Sequence, residues 1–255
     1  MKERIAVRNP ISDAGVAEDR PCNNLLRALR TTDYALLAPF LSFKDAGAGE
    51  QLYAPGDDVD VVYLPCGSAL ASYILTNEDG REVEVSLVGR EGAIGGVVSF
   101  GHLPAYCGMA VKFGGAFLAL RTKDLETAKA KSPSLTYLFA RYADCLLAQL
   151  FQSIACNASH SIEQRSAKWL LAAMDRTGGE VVPMTHEQLA AMLGVGRSYT
   201  SRVIHSFKAR GLVETRRGSV VLLDHDGLHA RSCACNDAVR DHFDVVLRGV
   251  YPHNE

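Results

Sequence analysis

The sequence predicts an α+β fold with an N-terminal antiparallel β-roll, one long helix, and a C-terminal helical domain closed by a basic hairpin. Short β-rich runs alternate with turn residues from Glu50 to about Leu120, which is typical of a roll of short strands. Apolar residues then recur at seven-residue spacing from Leu135 to Cys156, as on a long helix that packs along a partner. Residues 184–223 contain two short amphipathic helices, a glycine-rich turn and two further β-rich runs.

The domain boundaries follow from local signals. The 255 residues, 47% of them hydrophobic, are enough for two ordinary domains. Asp79-Gly80 marks a hairpin in the roll, and Ser132-Pro133 is a good helix start. We expect a flexible N-terminal arm over 1–24, the roll over 25–131, the long helix over 132–160, the helical domain with its hairpin over 161–230, and a tail with a short helix over 231–255.

Composition and motifs exclude several classes of protein. No apolar stretch reaches the length of a membrane span, and the N-terminus lacks the apolar core of a signal peptide, so we expect a soluble cytoplasmic protein without membrane contact. The seven scattered cysteines do not form a disulfide framework. Within the roll His102 is the only histidine, and neither a phosphate loop nor a nucleophile elbow is present, which argues against an enzyme.

The charge is unevenly distributed along the chain. Residues 161–222 carry nine Lys and Arg against five Asp and Glu, a net charge of +4, whereas the segments before and after each carry −3. Six of the cations fall between positions 197 and 217, where Glu214 is the only acidic residue. This pattern favours a polyanionic partner, with a solvated helix face as the alternative.

A helix-turn-helix motif lies in this basic segment. Thr185 is a good N-cap for a first helix, residues 194–196 (Gly-Val-Gly) form a turn, and a second helix begins near Arg197. The basic hairpin over 212–223 has the position of the wing of a winged helix. We therefore expect the domain to bind double-stranded DNA. The predicted DNA contacts are Thr185, His186, Arg197, Ser198, Tyr199, Thr200, Ser201, Arg202, Lys208, Arg216 and Arg217.

The order of β-roll, long helix and winged helix resembles the CRP/FNR family of bacterial transcription regulators. The family-like pattern LTxExLAxxLGxxRxxVxR is matched by MTHEQLAAMLGVGRSYTSR, and the resemblance covers about residues 25–225. It implies a cyclic-nucleotide-binding-like roll, a homodimer that reads a palindromic site, and RNA polymerase as a further partner. Arg197 and Arg202 match arginines that read DNA in the family, but Ser198 replaces a glutamate, so the family's half-site sequence cannot be transferred.

The long helix is the predicted dimer interface. The alternative is a helix that lies across its own β-roll. The residues that we expect in the interface are Leu135, Leu138, Phe139, Tyr142, Leu146, Gln149, Leu150 and Ser153.

The roll lacks a recognisable cyclic-nucleotide cassette. In the family a glutamate takes the ribose hydroxyl and an arginine neutralises the cyclic phosphate; here a glycine stands in the glutamate position unless Glu91 takes that role in another register. Between Arg90 and Arg121 there is no arginine, and Lys112 is the only cation. We expect no cyclic-nucleotide response. The candidate pocket for an unknown small-molecule effector consists of Glu91, Gly95, Gly96, His102 and Tyr106.

No metal or other cofactor is predicted. His229, Cys233 and Cys235 lie close in sequence, but three groups without a fourth make a weak metal site. Cys145 and Cys156 are expected to pack in the core. Two alternative functions remain: a cyclic-nucleotide-responsive activator of the same family, and a ligand-sensing or metal-binding β-roll protein that does not bind DNA.

Overall fold

The computed structural model describes residues 23–80, 82–99 and 101–250. It has the α+β architecture that the sequence predicts. Among these residues the roll has seven strands: β1 (Ser42–Ala46), β2 (Gln51–Tyr53), β3 (Val61–Pro65), β4 (Leu70–Thr76), β5 (Glu82–Val88), β6 (Gly108–Phe113) and β7 (Gly115–Arg121). They pair antiparallel in two sheets of order β1-β7-β3 and β2-β6-β4-β5. The hairpin predicted around Asp79-Gly80 joins β4 to β5, and Gly80 adopts the positive φ that this turn requires.

Helices flank the roll and follow it. The described part of the chain contains α1 (Asn24–Arg27), α2 (Thr31–Leu37), a 3₁₀ turn (Ala38–Phe40), α3 (Thr122–Lys131), α4 (Pro133–Ser159), α5 (Ile162–Thr177), α6 (His186–Leu193), α7 (Arg197–Ala209), α8 (His225–His229) and α9 (Cys235–Arg248). Three short strands, β8 (Val181–Val182), β9 (Val213–Arg216) and β10 (Ser219–Leu222), form a second antiparallel unit of order β8-β10-β9. None of the described helices is long and apolar enough to cross a membrane.

The predicted arm over 1–24 falls outside the described residues except for its last two positions. These two are part of the folded core, because Asn23 and Asn24 are buried. The Asn23 amide donates to the carbonyls of Pro65 and Gly92, and its Oδ1 accepts from the first turn of α1. The folded core therefore includes Asn23 and Asn24, which the sequence had placed in the arm.

The 27-residue helix α4 packs along the roll over its first half. Ser132 caps it, as predicted, by accepting a hydrogen bond from the Leu135 amide. The Tyr142 hydroxyl is fully buried, accepts from the amide of Ala93 and donates to its carbonyl. One face of α4 is thus held by its own chain, as the alternative interpretation of this helix expected.

The C-terminal segment is an integral part of the structure. Helix α9 packs along α4, where the Phe243 ring meets Tyr142 edge-on at 6.3 Å between centroids and Arg141 donates to the Val246 carbonyl at 2.8 Å. The sequence predicted only a tail with a short helix here. The docking is not apparent from the sequence, because neither the amphipathic pattern of α9 nor its length specifies the surface that it covers.

The helical domain and the roll share one apolar cluster. Leu170, Ile204 and Phe207 of the helical domain belong to it together with Leu70 and Leu87 of the roll. The boundary between the two lies between Ser159 and Ile162 in the chain. Arg176 of the helical domain forms an ion pair with Glu91 of the roll across it. The helical domain is consequently positioned against β4, β5 and β6 of its own chain.

Candidate nucleic-acid interface

The helix-turn-helix forms through the local signals that predicted it. The Thr185 hydroxyl accepts from the Gln188 amide at 3.2 Å, and the Gln188 side chain accepts from the Thr185 amide at 2.8 Å, which completes a capping box at the start of α6. Gly194 ends α6 with φ of 68°, a conformation that favours glycine. Helix α7 then begins at Arg197.

Helix α7 has one face in the core and one face in solvent. Val203, Ile204 and Phe207 are buried. The Arg202 guanidinium lies 5.2 Å from the centroid of the exposed Tyr199 ring, a cation–π contact that holds both side chains on the outer face. The predicted contacts that are exposed on this helix are Arg197, Ser198, Tyr199, Arg202 and Lys208.

Two polar side chains connect the helices of the motif. Ser201 is half-buried, and its hydroxyl lies 3.0 Å from Nδ1 of His186, which is also half-buried. Burial lowers the pKa of His186, and the positive charge of Arg197 and the neighbouring His205 act in the same direction. The neutral imidazole therefore prevails at neutral pH and contributes no charge to this surface.

One predicted contact on α7 is contradicted by the structure. Thr200 is fully buried, and its hydroxyl has no hydrogen-bond partner. It shares the core face with Val203 and Phe207, because positions three and seven apart lie on one side of a helix, so it cannot reach DNA. Conversely, His205 was not predicted although it is exposed one turn beyond Ser201 and Arg202. Its helical spacing from those residues could have identified it.

The wing presents cations at its tip. Arg216 at the end of β9 and Arg217 in the following turn are both exposed, and Gly218 closes the turn with φ of 75°. Arg216 lies 3.6 Å from the Glu214 carboxylate, an exposed ion pair that water screens. Backbone turns with exposed arginines are suited to contact phosphates, which need charge but no sequence-specific geometry.

The exposed apolar residues of α4 coincide with the predicted interface only at Leu150. Five predicted interface residues are buried within their own chain: Leu135, Leu138, Phe139, Tyr142 and Gln149. Leu146 and Ser153 are half-buried. The reason is that the roll and α9 cover this face of α4. The exposed apolar stripe, which we define as Leu147, Leu150, Phe151 and Ile154, lies on the remaining face; its side chains are 37–68% exposed.

The residues predicted to line an effector pocket have separate surroundings in the structure. Glu91 forms an ion pair with Arg176 of α5 at 3.0 Å. His102 is exposed and pairs with Asp58, and Tyr106 is 88% exposed. Gly95 packs so closely against β3 that an added Cβ would lie 2.6 Å from the Val61 carbonyl oxygen, and a Cβ on Gly96 would lie 3.2 Å from the Leu103 side chain. These surroundings do not support a pocket built from this set.

Comparisons with known proteins agree with this architecture. Residues 164–231 match the profile of the Crp-like helix-turn-helix domain. The chain is similar to the transcriptional regulator SdrP of Thermus thermophilus, with 27% identity over 158 residues that cover 60% of this chain and 74% of SdrP.

Solved structures show the same fold over most of the chain. FixK2 from Bradyrhizobium japonicum is 18% identical, with a TM-score of 0.65, and the match covers 76% of this chain and 98% of FixK2. The c-di-GMP-responsive global regulator CLP of Xanthomonas campestris is 16% identical, with a TM-score of 0.60 and coverage of 76% and 99%.

The fold and the basic helix-turn-helix define a DNA-binding transcription regulator. Within that class, residues 164–231 form a Crp-like helix-turn-helix domain, and the chain shares the fold of FixK2 and CLP over most of its length.

Proposed function

We propose that the chain acts as a homodimer whose two α7 helices read a two-fold symmetric DNA site, and that cyclic nucleotides do not control it. The observation that carries the proposal is the outer face of α7, where Arg197, Tyr199 and Arg202 are exposed on a helix whose opposite face is buried. In helix-turn-helix proteins such a face enters the major groove, and the two recognition helices of a dimer lie about 34 Å apart.

The two basic elements have different tasks in this proposal. Arginines on α7 donate to base edges, with a preference for guanine, and supply sequence specificity. Arg217 and Arg216 at the tip of the wing bind phosphates and fix the orientation of the domain on the duplex. A dimer placed in this way changes the access of RNA polymerase to a promoter, and RNA polymerase is therefore the further partner that we propose.

The exposed apolar stripe of α4 supports the dimer. Phe151 and Ile154 are 66% and 68% exposed, and they follow Leu147 at the spacing of one helix face. Burying large apolar side chains of this kind contributes about 1.5–3 kcal/mol each. Two parallel copies of α4 that pair through this stripe would place the α7 helices symmetrically about the dimer axis.

The electrostatics of the roll argue against cyclic-nucleotide control. Lys112, the cation between Arg90 and Arg121 in the sequence, forms an ion pair with the buried Glu84. Glu91, the one acidic candidate for a ribose hydroxyl, is held by Arg176. Both groups are thus already paired within the chain, and neither is free to bind a cyclic nucleotide.

Selection of DNA from a random pool tests the proposal. The wild-type protein should enrich an inverted repeat whose half-sites are about one helical turn apart. Arg197→Ala should abolish or alter the enriched motif. Arg210→Ala is the matched control, since Arg210 lies beyond the C-terminal end of α7 and pairs with Glu163 at 3.1 Å. An enriched motif without two-fold symmetry, or enrichment that Arg197→Ala leaves unchanged, would contradict it.

A further inference from the structure

Four potential metal ligands meet where α4 ends. Cys156 lies in the last turn of α4, and His160 follows four residues later, at the C-cap. Cys233 and Cys235 belong to the segment that enters α9. One ligand atom from each residue lies within 4.8 Å of the ligand atoms of the other three.

This cluster differs from the one that the sequence suggested. His229 was grouped with Cys233 and Cys235 because it is close in sequence, but its Nε2 lies 2.8 Å from the Asp237 carboxylate. His160 and Cys156 take part instead, 73 and 77 residues before Cys233. Because α9 docks on α4, Cys156 and His160 lie next to Cys233 and Cys235. The site therefore has four potential ligands, as a tetrahedral ion requires, where the sequence suggested only three.

The distances between ligand atoms suit a tetrahedral ion. The sulfurs of Cys156 and Cys233 are 3.6 Å apart, and the sulfur of Cys235 is 3.5 Å from Nδ1 of His160. Zinc bonds of about 2.3 Å to sulfur and about 2.0 Å to nitrogen, arranged as a tetrahedron, separate the ligand atoms by about 3.5–3.8 Å. These two pairs therefore already have the spacing that a bound ion would impose, and the remaining pairs lie within 4.8 Å.

The surroundings of the cluster also suit a site of three thiolates and one imidazole. All three cysteines are buried, which is typical of a structural rather than a catalytic zinc site. The Gln152 amide donates to the Cys235 sulfur at 3.1 Å, a hydrogen bond of the kind that orients metal ligands. Lys168 is buried and lines the same small cavity as Cys235 and Gln152. Its single positive charge would balance the net charge of −1 of a divalent cation bound by three thiolates.

We propose that Cys156, His160, Cys233 and Cys235 bind a soft divalent cation of the zinc class. On binding, the three thiols each release one proton to solvent, and His160 coordinates through Nδ1 in its neutral form. The ion would join the end of α4 to the start of α9, next to Ser161, where the DNA-binding domain begins. It would thereby hold the C-terminal helix in its docked position.

Metal binding to the full-length protein tests this directly. The protein is reduced, freed of metal with a chelator, and titrated with Zn²⁺ or Co²⁺ alone. One ion per chain should bind, and Co²⁺ should show the visible bands of a tetrahedral site together with thiolate charge transfer. Cys156→Ser and His160→Asn should weaken binding by at least about tenfold. The matched controls Cys145→Ser, a buried thiol on the same helix, and His229→Asn should bind as the wild type does.

A thermal measurement separates loss of the site from loss of the fold. Zinc should raise the Tm of the metal-free wild type, because it binds the native state, and should not raise the Tm of folded His160→Asn. The proposal is overturned if the reduced protein binds no ion with these spectra or if the controls lose binding equally. It is also overturned if the reduced protein binds no metal while an added disulfide oxidant joins Cys156 to Cys233, each sulfur losing its proton and the oxidant taking up two electrons. None of these measurements uses DNA, so their outcome does not depend on whether the proposed function is correct.

Discussion

Arg202 and Arg217 carry the same charge in different surroundings, and the difference predicts different roles. Arg202 is held over the Tyr199 ring on the outer face of α7, whereas Arg217 lies in the turn at the tip of the wing. An arginine that pairs with guanine discriminates between bases by about 1–3 kcal/mol, whereas a phosphate contact carries no sequence information.

Arg202→Ala should therefore lower affinity for the selected site and reduce the preference at one symmetric pair of positions. Arg217→Ala should weaken binding to selected and scrambled DNA alike, and it should reduce the salt slope by about one unit for each phosphate that is no longer neutralised. Titrations on both duplexes at several salt concentrations measure this. An unchanged ratio between selected and scrambled DNA in Arg202→Ala would show that α7 docks in another way.

Thr200 provides a second prediction for a single residue. Its side chain is fully buried and its hydroxyl has no partner, so Thr200→Val keeps the shape of the residue and removes an unsatisfied polar group. The free energy of unfolding should stay the same or rise, by at most about 1–3 kcal/mol, and DNA affinity should not change. Denaturant unfolding and a DNA titration on the same preparation measure both. If Thr200→Val is as stable as the wild type but binds DNA more weakly, Thr200 does contribute to the DNA interface.

The sequence predicted the exposed arginines of α7 but misplaced Thr200, for a physical reason. The capping box at Thr185 and the turn glycine Gly194 fix where the motif lies, since both are local signals. Threonine is compatible with a contact to DNA and also with a helix core, and only the helical spacing from Val203 and Phe207 decides between them.

At the scale of elements, the sequence predicted helix α4 itself but not which of its faces packs against the roll. The helix is apolar on more than one side, so the seven-residue repeat predicts its length without showing which side meets the roll. The repeat that begins at Leu135 faces the chain's own core. The exposed apolar stripe lies on another face. Which face is buried and which is exposed depends on tertiary packing and not on the sequence repeat.

Phe151→Glu tests the stripe as the surface between two copies. A dimer that pairs through the stripe would bury the new carboxylate, at a cost of several kcal/mol, and should dissociate into monomers. Phe43→Glu is a closely matched control, because Phe43 is 72% exposed on β1, away from α4, and the substitution is the same. Sedimentation velocity at micromolar concentration distinguishes the two states. If Phe151→Glu remains dimeric, the copies associate through a different surface.

At the scale of the whole molecule, the DNA-binding domain is joined to the roll by more than the chain between them. Arg176 of α5 pairs with Glu91 and donates to Gln149 at 3.2 Å, and Gln149 in turn donates to the Ser86 hydroxyl and the Leu87 carbonyl. This network connects the roll, α4 and α5. The sequence indicated a boundary between residues 160 and 161 but not these contacts, because pairs this distant in sequence leave no periodic or local signal.

Two ion pairs that involve the roll, Lys112 with Glu84 and Glu91 with Arg176, bear on the response of the whole molecule to small ligands. Lys112 and Glu84 form a buried ion pair in the roll, and burial raises the pKa of Glu84 while the neighbouring Lys112 ammonium opposes that rise. A cyclic nucleotide that recruited Lys112 would leave Glu84 buried without its counterion. A ligand that recruited Glu91 would remove the partner of Arg176 at the contact with the DNA-binding domain. Both events cost free energy, and the free energy gained by binding the phosphate would have to be larger than this cost.

Calorimetry with millimolar cyclic AMP or cyclic GMP should therefore show no saturable heat, and neither nucleotide should change the affinity for the selected DNA. The DNA titration on the same preparation is the control, since it shows that the protein under test is folded and active. A dissociation constant below about 100 μM corresponds to more than about 5 kcal/mol of binding free energy. Such affinity would require a cation that neutralises the phosphate, and Lys112→Met would then have to abolish it. Tight binding that survives Lys112→Met would mean that the phosphate is held by groups outside the stretch between Arg90 and Arg121.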